Sequence, residues 1–180
     1  MKIFIGCSSS NEISDEYKIV TKYLAEQLSK DNDLVFGCTN RGLMGICYGE
    51  FIKNNRKIIG ICYEMYKDDL KDLTLSEVIM VKTLEDSSKT LEEEADILIL
   101  LPGAFGTLSE FINMLEHKRT NLHNKEMIVF NINGFYDDLI NMFNKINQKV
   151  SNKYDFNKLC KVFDTVDEIT NFIQSKKSSK

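Results

Sequence analysis

The residues best suited to chemistry lie at Leu100-Leu101-Pro102-Gly103-Ala104-Phe105-Gly106-Thr107-Leu108-Ser109-Glu110. An apolar run, Ile97 to Leu101, stops at the only proline in 180 residues. Two glycines and a threonine follow, and then a helical pattern begins with a glutamate in its first turn. The order predicts a strand, a tight glycine turn and a helix N-terminus. Such an end presents unpaired backbone N–H groups and the positive end of the helix dipole. It suits a phosphate, and the glycines let a ligand approach the backbone closely. An acid beside an anion site is unexpected for phosphate binding alone, so Glu110 is placed for chemistry or for a sugar hydroxyl. An ordinary strand–helix turn is the plain alternative; the acid and the glycine spacing together favour a site.

Two more loops carry candidate groups. In Gly6-Cys7-Ser8-Ser9-Ser10 the serine hydroxyls could hold a phosphate or a sugar, or merely solvate a turn. In Gly37-Cys38-Thr39-Asn40-Arg41-Gly42-Leu43-Met44-Gly45, Gly42 and Gly45 bracket a helix start. GxGxxG is absent, which disfavours a dinucleotide, and no GxxxxGK[ST] loop is present for a P-loop ATPase. Arg41 could clamp a phosphate, although the loop alone favours a surface arginine. Glu92, Glu93 and Glu94 read as a solvated helix face. His123 reads as a cap or link between a helix and a strand, and Phe111, Met114 and Leu115 as core or subunit interface.

Positioning these groups requires alternating strands and helices. Strands are expected at Lys2–Gly6, Leu34–Gly37, Lys57–Tyr63, Glu77–Val81, Ile97–Leu101, Met127–Asn131 and Lys161–Asp164. Helices are expected at Ser14–Lys30, Leu43–Asn54, from Thr83 as N-cap to about Ala95, Thr107–Lys118, Phe135–Asn147 and Val166–Gln174. Lys67–Ser76 reads as irregular. Strands alternating with helices predict a parallel sheet, and wholly apolar strands such as Ile97–Leu101 predict cover on both faces. The expected fold is a Rossmann-like doubly wound α/β sandwich, one domain over residues 1–175 with a disordered tail at 176–180. Its ligand belongs beyond the carboxyl ends of the strands, where the three loops gather.

Composition narrows the partners. The chain is 43% hydrophobic and 28% charged, ordinary for a globular protein. Its net charge of −4 argues against nucleic acid, whose phosphates call for a basic face. Five cysteines without a CxxC pair fit reduced thiols in the cytoplasm. The two histidines form no HxxxH pair with each other and no cluster with cysteines, so no metal is expected. No cofactor is implied. No signal peptide and no run of membrane-spanning length is found.

Several of these segments together resemble one family. Pro102 to Glu110 is similar to the PGGxGTxxE motif of the LOG family, the cytokinin riboside 5′-monophosphate phosphoribohydrolases often mislabelled as lysine decarboxylases. Gly6-Cys7-Ser8-Ser9 resembles the family's CGSS, and Gly42-Leu43-Met44-Gly45 its GLMG. His123-Asn124-Lys125 and Asn131-Ile132-Asn133-Gly134-Phe135-Tyr136 resemble its HxK and N-x-G-Y/F-Y segments. The resemblance implies cleavage of the N-glycosidic bond of an AMP-like nucleotide, with an N6-modified purine among the candidate bases. It also implies a homodimer with the site near the subunit interface. Glu110 matches the catalytic glutamate. Gly103, Ala104, Phe105, Gly106, Thr107 and Ser109 match the phosphate-binding motif, with Ser8, Gly42, Asp69 and Ser87 as further substrate positions.

The chain departs from the family where its M-x-x-R-K segment should stand. Leu84-Glu85-Asp86-Ser87-Ser88 puts two serines in place of the arginine–lysine pair. Serine supplies neither charge nor a guanidinium fork, and Lys89 points about 100° away around the helix. Ala104 replaces the middle glycine, which would strain the turn if its φ were positive. Two functions follow: a phosphoribohydrolase in which Arg41 or Arg119 replaces the missing arginine, or a catalytically silent nucleotide- or phosphorylated-cofactor-binding protein of the same fold, such as a sensor or a molybdenum-cofactor carrier.

Overall fold

The computed structural model describes residues 1–151 and 155–178. Seven parallel strands form one sheet: β1 (Lys2–Gly6), β2 (Asp33–Phe36), β3 (Ile58–Tyr63), β4 (Glu77–Val81), β5 (Ile97–Leu100), β6 (Glu126–Phe130) and β7 (Lys161–Phe163). Their order is β4-β3-β2-β1-β5-β6-β7. The direction of winding reverses between β1 and β5, where Ile3 pairs with Ile97 and Gly6 with Leu100. At such a switch point neighbouring connections leave toward opposite faces and open a crevice beyond the strand ends.

Alternation along each strand builds two cores. Ile3, Ile5, Phe36, Ile97 and Ile99 face α1 (Asp15–Leu28), α2 (Gly42–Lys53) and α7 (Val166–Ser178). Phe4, Val35, Leu98, Leu100 and Val129 face α3 (Leu84–Glu94) and α4 (Phe105–Arg119), joined by the short α6 (Phe156–Leu159). The half-buried α5 (Asp137–Lys149) lies on this second face through Leu139, Ile140 and Phe143. Every residue of β5 is buried, as a strand covered on both sides requires. The fold is the doubly wound three-layer α/β sandwich that the pattern predicts.

The differences are local. α4 starts at Phe105, two residues earlier than its apolar spacing predicts, so Gly106 and Thr107 fall in its first turn and Glu110 in its second. Lys67–Ser76 is partly ordered, within a 3₁₀ segment at Glu64–Asp72 that kinks at Tyr66. Helix α6 has too few residues to show a period. The closing helix reaches Ser178, so residues 176–178 of the expected disordered tail are helical; Ser179 and Lys180 lie outside the described residues. The extension is held by charge: Lys176 binds Glu126 and Lys177 lies 2.7 Å from Asp31. Among the described residues no helix is long and apolar enough to cross a membrane.

Candidate functional site

A cavity of about 430 Å³ opens at the switch point. It gathers the loops after β1 and β2, the 3₁₀ segment after β3, and the starts of α3 and α4. Ser8 knots the floor. Its amide donates to Pro102 O (3.0 Å), its carbonyl accepts from Leu43 N–H (2.8 Å), and its hydroxyl accepts from Ser10 N–H (3.1 Å). Gly42 adopts φ +57°, and a Cβ there would stand 2.6 Å from Ser8 O. The GLMG glycine therefore permits this close backbone crossing and does not itself line the cavity.

The start of α4 is open. Ala104 is its N-cap and provides no side-chain cap. Backbone bonding begins with Leu108 N–H donating to Ala104 O (3.0 Å), which leaves the amides of Phe105, Gly106 and Thr107 for a ligand. Ala104 has φ −94°, so the alanine sits there without strain. A Cβ at Gly106 would meet nothing within 4 Å, because that side of the turn faces open space. Thr107 turns inward and donates its hydroxyl to Cys7 O (3.2 Å), fastening the helix start to the first loop.

Glu110 lines the cavity from the second turn of α4. No hydrogen bond or ion pair reaches its carboxyl among the described residues, and burial alone pushes its pKa up to about 7. Ser87 lines the wall contributed by α3, while Ser88 is buried away from the cavity. Lys89 reaches Glu93 (3.7 Å) on the solvent side, so it does not replace a cation at Ser87. Among the described residues, Arg41 is the one cationic side chain lining the cavity. Its Nε donates to Thr39 Oγ1 (3.3 Å) and its Nη2 to Asp69 Oδ2 (3.1 Å). Arg119 ends α4 beside Glu116 and does not line the cavity.

Of the expected positions, Ser8, Asp69, Ser87, Ala104, Gly106, Thr107 and Glu110 converge on the cavity; Gly42, Gly103, Phe105 and Ser109 do not line it. Phe105 is 91% exposed. Gly103 packs beneath Thr107, whose Oγ1 would stand 2.4 Å from a Cβ. Sequence reasoning missed Tyr63, Tyr66 and Leu84, which also line the cavity. Tyr63 ends β3, Tyr66 lies in the 3₁₀ segment that follows it and Leu84 opens α3, so all three stand at the carboxyl edge with no period of their own to mark them.

The remaining motif residues support the site from outside. Asn131 accepts from Tyr136 N–H (2.8 Å) and donates to Asp137 (2.8 Å), and the Tyr136 hydroxyl donates to Leu101 O (2.7 Å). The end of β5 is thereby fixed. His123 and Lys125 act on α3 at the far end of the sheet. His123 Nε2 lies 2.8 Å from Met114 O, and its Nδ1 accepts from Lys125 N–H (3.1 Å). Lys125 Nζ caps the last carbonyls of α3, those of Glu92 and Glu93. The expected solvated face at Glu92–Glu94 is overturned at Glu92, which is 6% exposed and lies 2.8 Å from His117 Nδ1. All five cysteines are free and buried.

A family model described as possible lysine decarboxylase matches residues 44–173. An Arabidopsis thaliana cytokinin riboside 5′-monophosphate phosphoribohydrolase is 31% identical over 145 residues, 79% of this chain and 67% of that protein. A probable rice (Oryza sativa subsp. japonica) enzyme with the same activity name is 26% identical, over 79% of this chain and 63% of its own length. Among solved structures, the molybdenum cofactor carrier protein of Chlamydomonas reinhardtii has TM-score 0.72 at 12% identity, with 97% and 96% of the two chains covered. The molybdenum cofactor binding protein of Rippkaea orientalis has TM-score 0.70 at 17% identity, with 97% and 95% covered. These two share the fold.

Proposed function

The chain belongs to the LOG family, and on that premise we propose that it hydrolyses the N-glycosidic bond of a purine nucleoside 5′-monophosphate, releasing free base and ribose 5-phosphate. One observation carries this reading. Among the described residues Glu110 has no counter-ion, and it stands in the second turn of the helix whose open start faces the same cavity. The names of the Arabidopsis and rice relatives describe the same reaction.

In this mechanism the 5′-phosphate takes the free amides of Phe105, Gly106 and Thr107. Ribose C1′ then lies beside Glu110. As the base departs with the bonding pair, C1′ becomes oxocarbenium-like. The ionised Glu110 stabilises that charge and accepts a proton from the water that adds to C1′. The departing base takes up a proton from solvent, and Glu110 gives its own back to solvent once the products leave. Arg41 supplies the guanidinium that Ser87 cannot, leaving Asp69 for the ligand's anionic group. The reading extends to a cytoplasmic homodimer that does not bind nucleic acid. The buried free thiols, the acidic net charge and the exposed Ile112 on α4 support it.

The second reading is a catalytically silent nucleotide or phosphorylated-cofactor binder, favoured by the uncharged Ser87 in the wall of Glu110's cavity. Losing one charge-stabilising donor typically costs several kcal/mol of barrier. Release of free base from AMP and N6-modified AMP decides between them. Release by the native protein that disappears in Glu110→Ala establishes the hydrolase. Nucleotide binding without release establishes the binder.

A further inference from the structure

We propose that Tyr66 is the base platform of this site, a specificity-determining side chain that stacks the leaving purine. This rests on the nucleotide reading above and adds to it the residue that recognises the base.

Tyr66 sits at the kink of the Glu64–Asp72 segment, which follows β3 and contains no buried residue. Tyr66 lines the cavity and remains 51% exposed. Tyr63 meets it edge-on, with centroids 5.8 Å apart at 78°. An edge-on brace fixes the ring and leaves a face for a second planar group. No hydrogen bond engages the Tyr66 hydroxyl among the described residues. Asp69, in the second half of the segment, pairs with Arg41, and Thr74 N–H, just beyond the segment, donates to Tyr48 Oη (2.7 Å).

Position supplies the second part. The open start of α4 follows β5, and β3 lies three strands away in the sheet order. Three strand spacings amount to about 14 Å. A nucleotide with its phosphate on α4 and C1′ at Glu110 points its base toward β3 and the segment that follows. Leu84, 61% exposed at the start of α3, adds a further exposed apolar side chain to the cavity lining. Phe105 is more exposed still but does not line the cavity. Base–aromatic stacking tolerates different bases, so this platform favours purines as a class through area rather than hydrogen-bond pattern.

The test is calorimetric binding of AMP and of ribose 5-phosphate, in a Glu110→Gln background that stops turnover, with Tyr66 intact, Tyr66→Ala or Tyr66→Phe. Tyr66→Ala should weaken AMP at least about fivefold, the low end for loss of one stacked base. Its ribose 5-phosphate affinity should remain within about twofold, and Tyr66→Phe should bind both ligands as the intact ring does. Unchanged AMP affinity in Tyr66→Ala overturns the proposal, as does equal weakening of both ligands, which would mean that the segment had merely collapsed. A protein that never binds AMP more tightly than ribose 5-phosphate also overturns it. Base release by the protein with native Glu110 is scored separately. Tyr66-dependent AMP binding without release upholds the platform and sinks the hydrolase, whereas release without Tyr66 dependence does the reverse.

Discussion

A carboxyl group enclosed without a counter-ion titrates where its solvation places it. Glu110 has its pKa raised to about 7 from an ordinary 4.5. If the ionised form performs the chemistry, base release should climb as pH rises through about 7 and level off above it. Ser87→Arg would restore a cation to the adjoining wall and shift that rise toward acid, visible as a larger gain at pH 6 than at pH 8. The same shift has a stability consequence of determined sign. Below about 4.5 the carboxyl is protonated in both folded and unfolded states and contributes no pH-dependent term. Between there and about 7 the folded state holds a proton that the unfolded chain has released, so native stability falls as pH rises. Glu110→Gln should therefore stabilise the protein increasingly toward pH 8, by up to about 3 kcal/mol, read from urea midpoints at pH 5 and pH 8. Glu110 and the open turn before it were legible because strand, glycines and acid are contiguous in sequence. Gly42 was legible as a special position but not in its role, since the Ser8 carbonyl that it admits lies 34 residues earlier in the chain.

At the scale of elements, the site depends on how α3 and α4 are held. The far end of their seam is clamped by Glu92, His117, His123 and Lys125, while the near end opens into the cavity. Lys125→Met removes the ammonium that caps α3 and should cost about 1–2 kcal/mol in a chemical unfolding experiment. Gly106→Ala reports on the opposite end. Its new methyl group meets no protein atom within 4 Å. The fold should keep its melting temperature while affinity for ribose 5-phosphate drops several-fold, because the methyl occupies ligand space. A drop in melting temperature with unchanged affinity would contradict an open phosphate turn. The run Glu92-Glu93-Glu94 shows why element-level reading failed where it did. Three glutamates on a helix look alike in sequence, and the histidine that meets the buried one lies 25 residues onward. The 3₁₀ segment carrying Tyr66 was missed because it has neither helical nor strand period.

For the whole molecule, alternation of apolar runs with amphipathic segments was enough to give the class: a parallel sheet with both faces covered. It did not give the order of the strands, because that order depends on which connections cross which face. Once the reversal between β1 and β5 is known, the meeting of three loops separated by up to a hundred residues needs no further cause. The proposed homodimer also belongs to this scale. Leu84 and Ile112 are exposed apolar side chains on the two helices beside the cavity, 61% and 39% accessible. Sedimentation equilibrium should return twice the mass of one chain, and Ile112→Glu should return one chain with weakened nucleotide affinity. A native protein that sediments as one chain would remove the dimer from the proposal.

Both histidines of the chain are committed to the α3–α4 seam, and neither lines the cavity. Reagents that acylate imidazole should therefore modify the protein without silencing it. A water-soluble carbodiimide with an amine nucleophile should silence it, with ribose 5-phosphate protecting. An inflection near neutrality, which enzymologists habitually assign to a histidine, would here be the signature of a carboxylic acid.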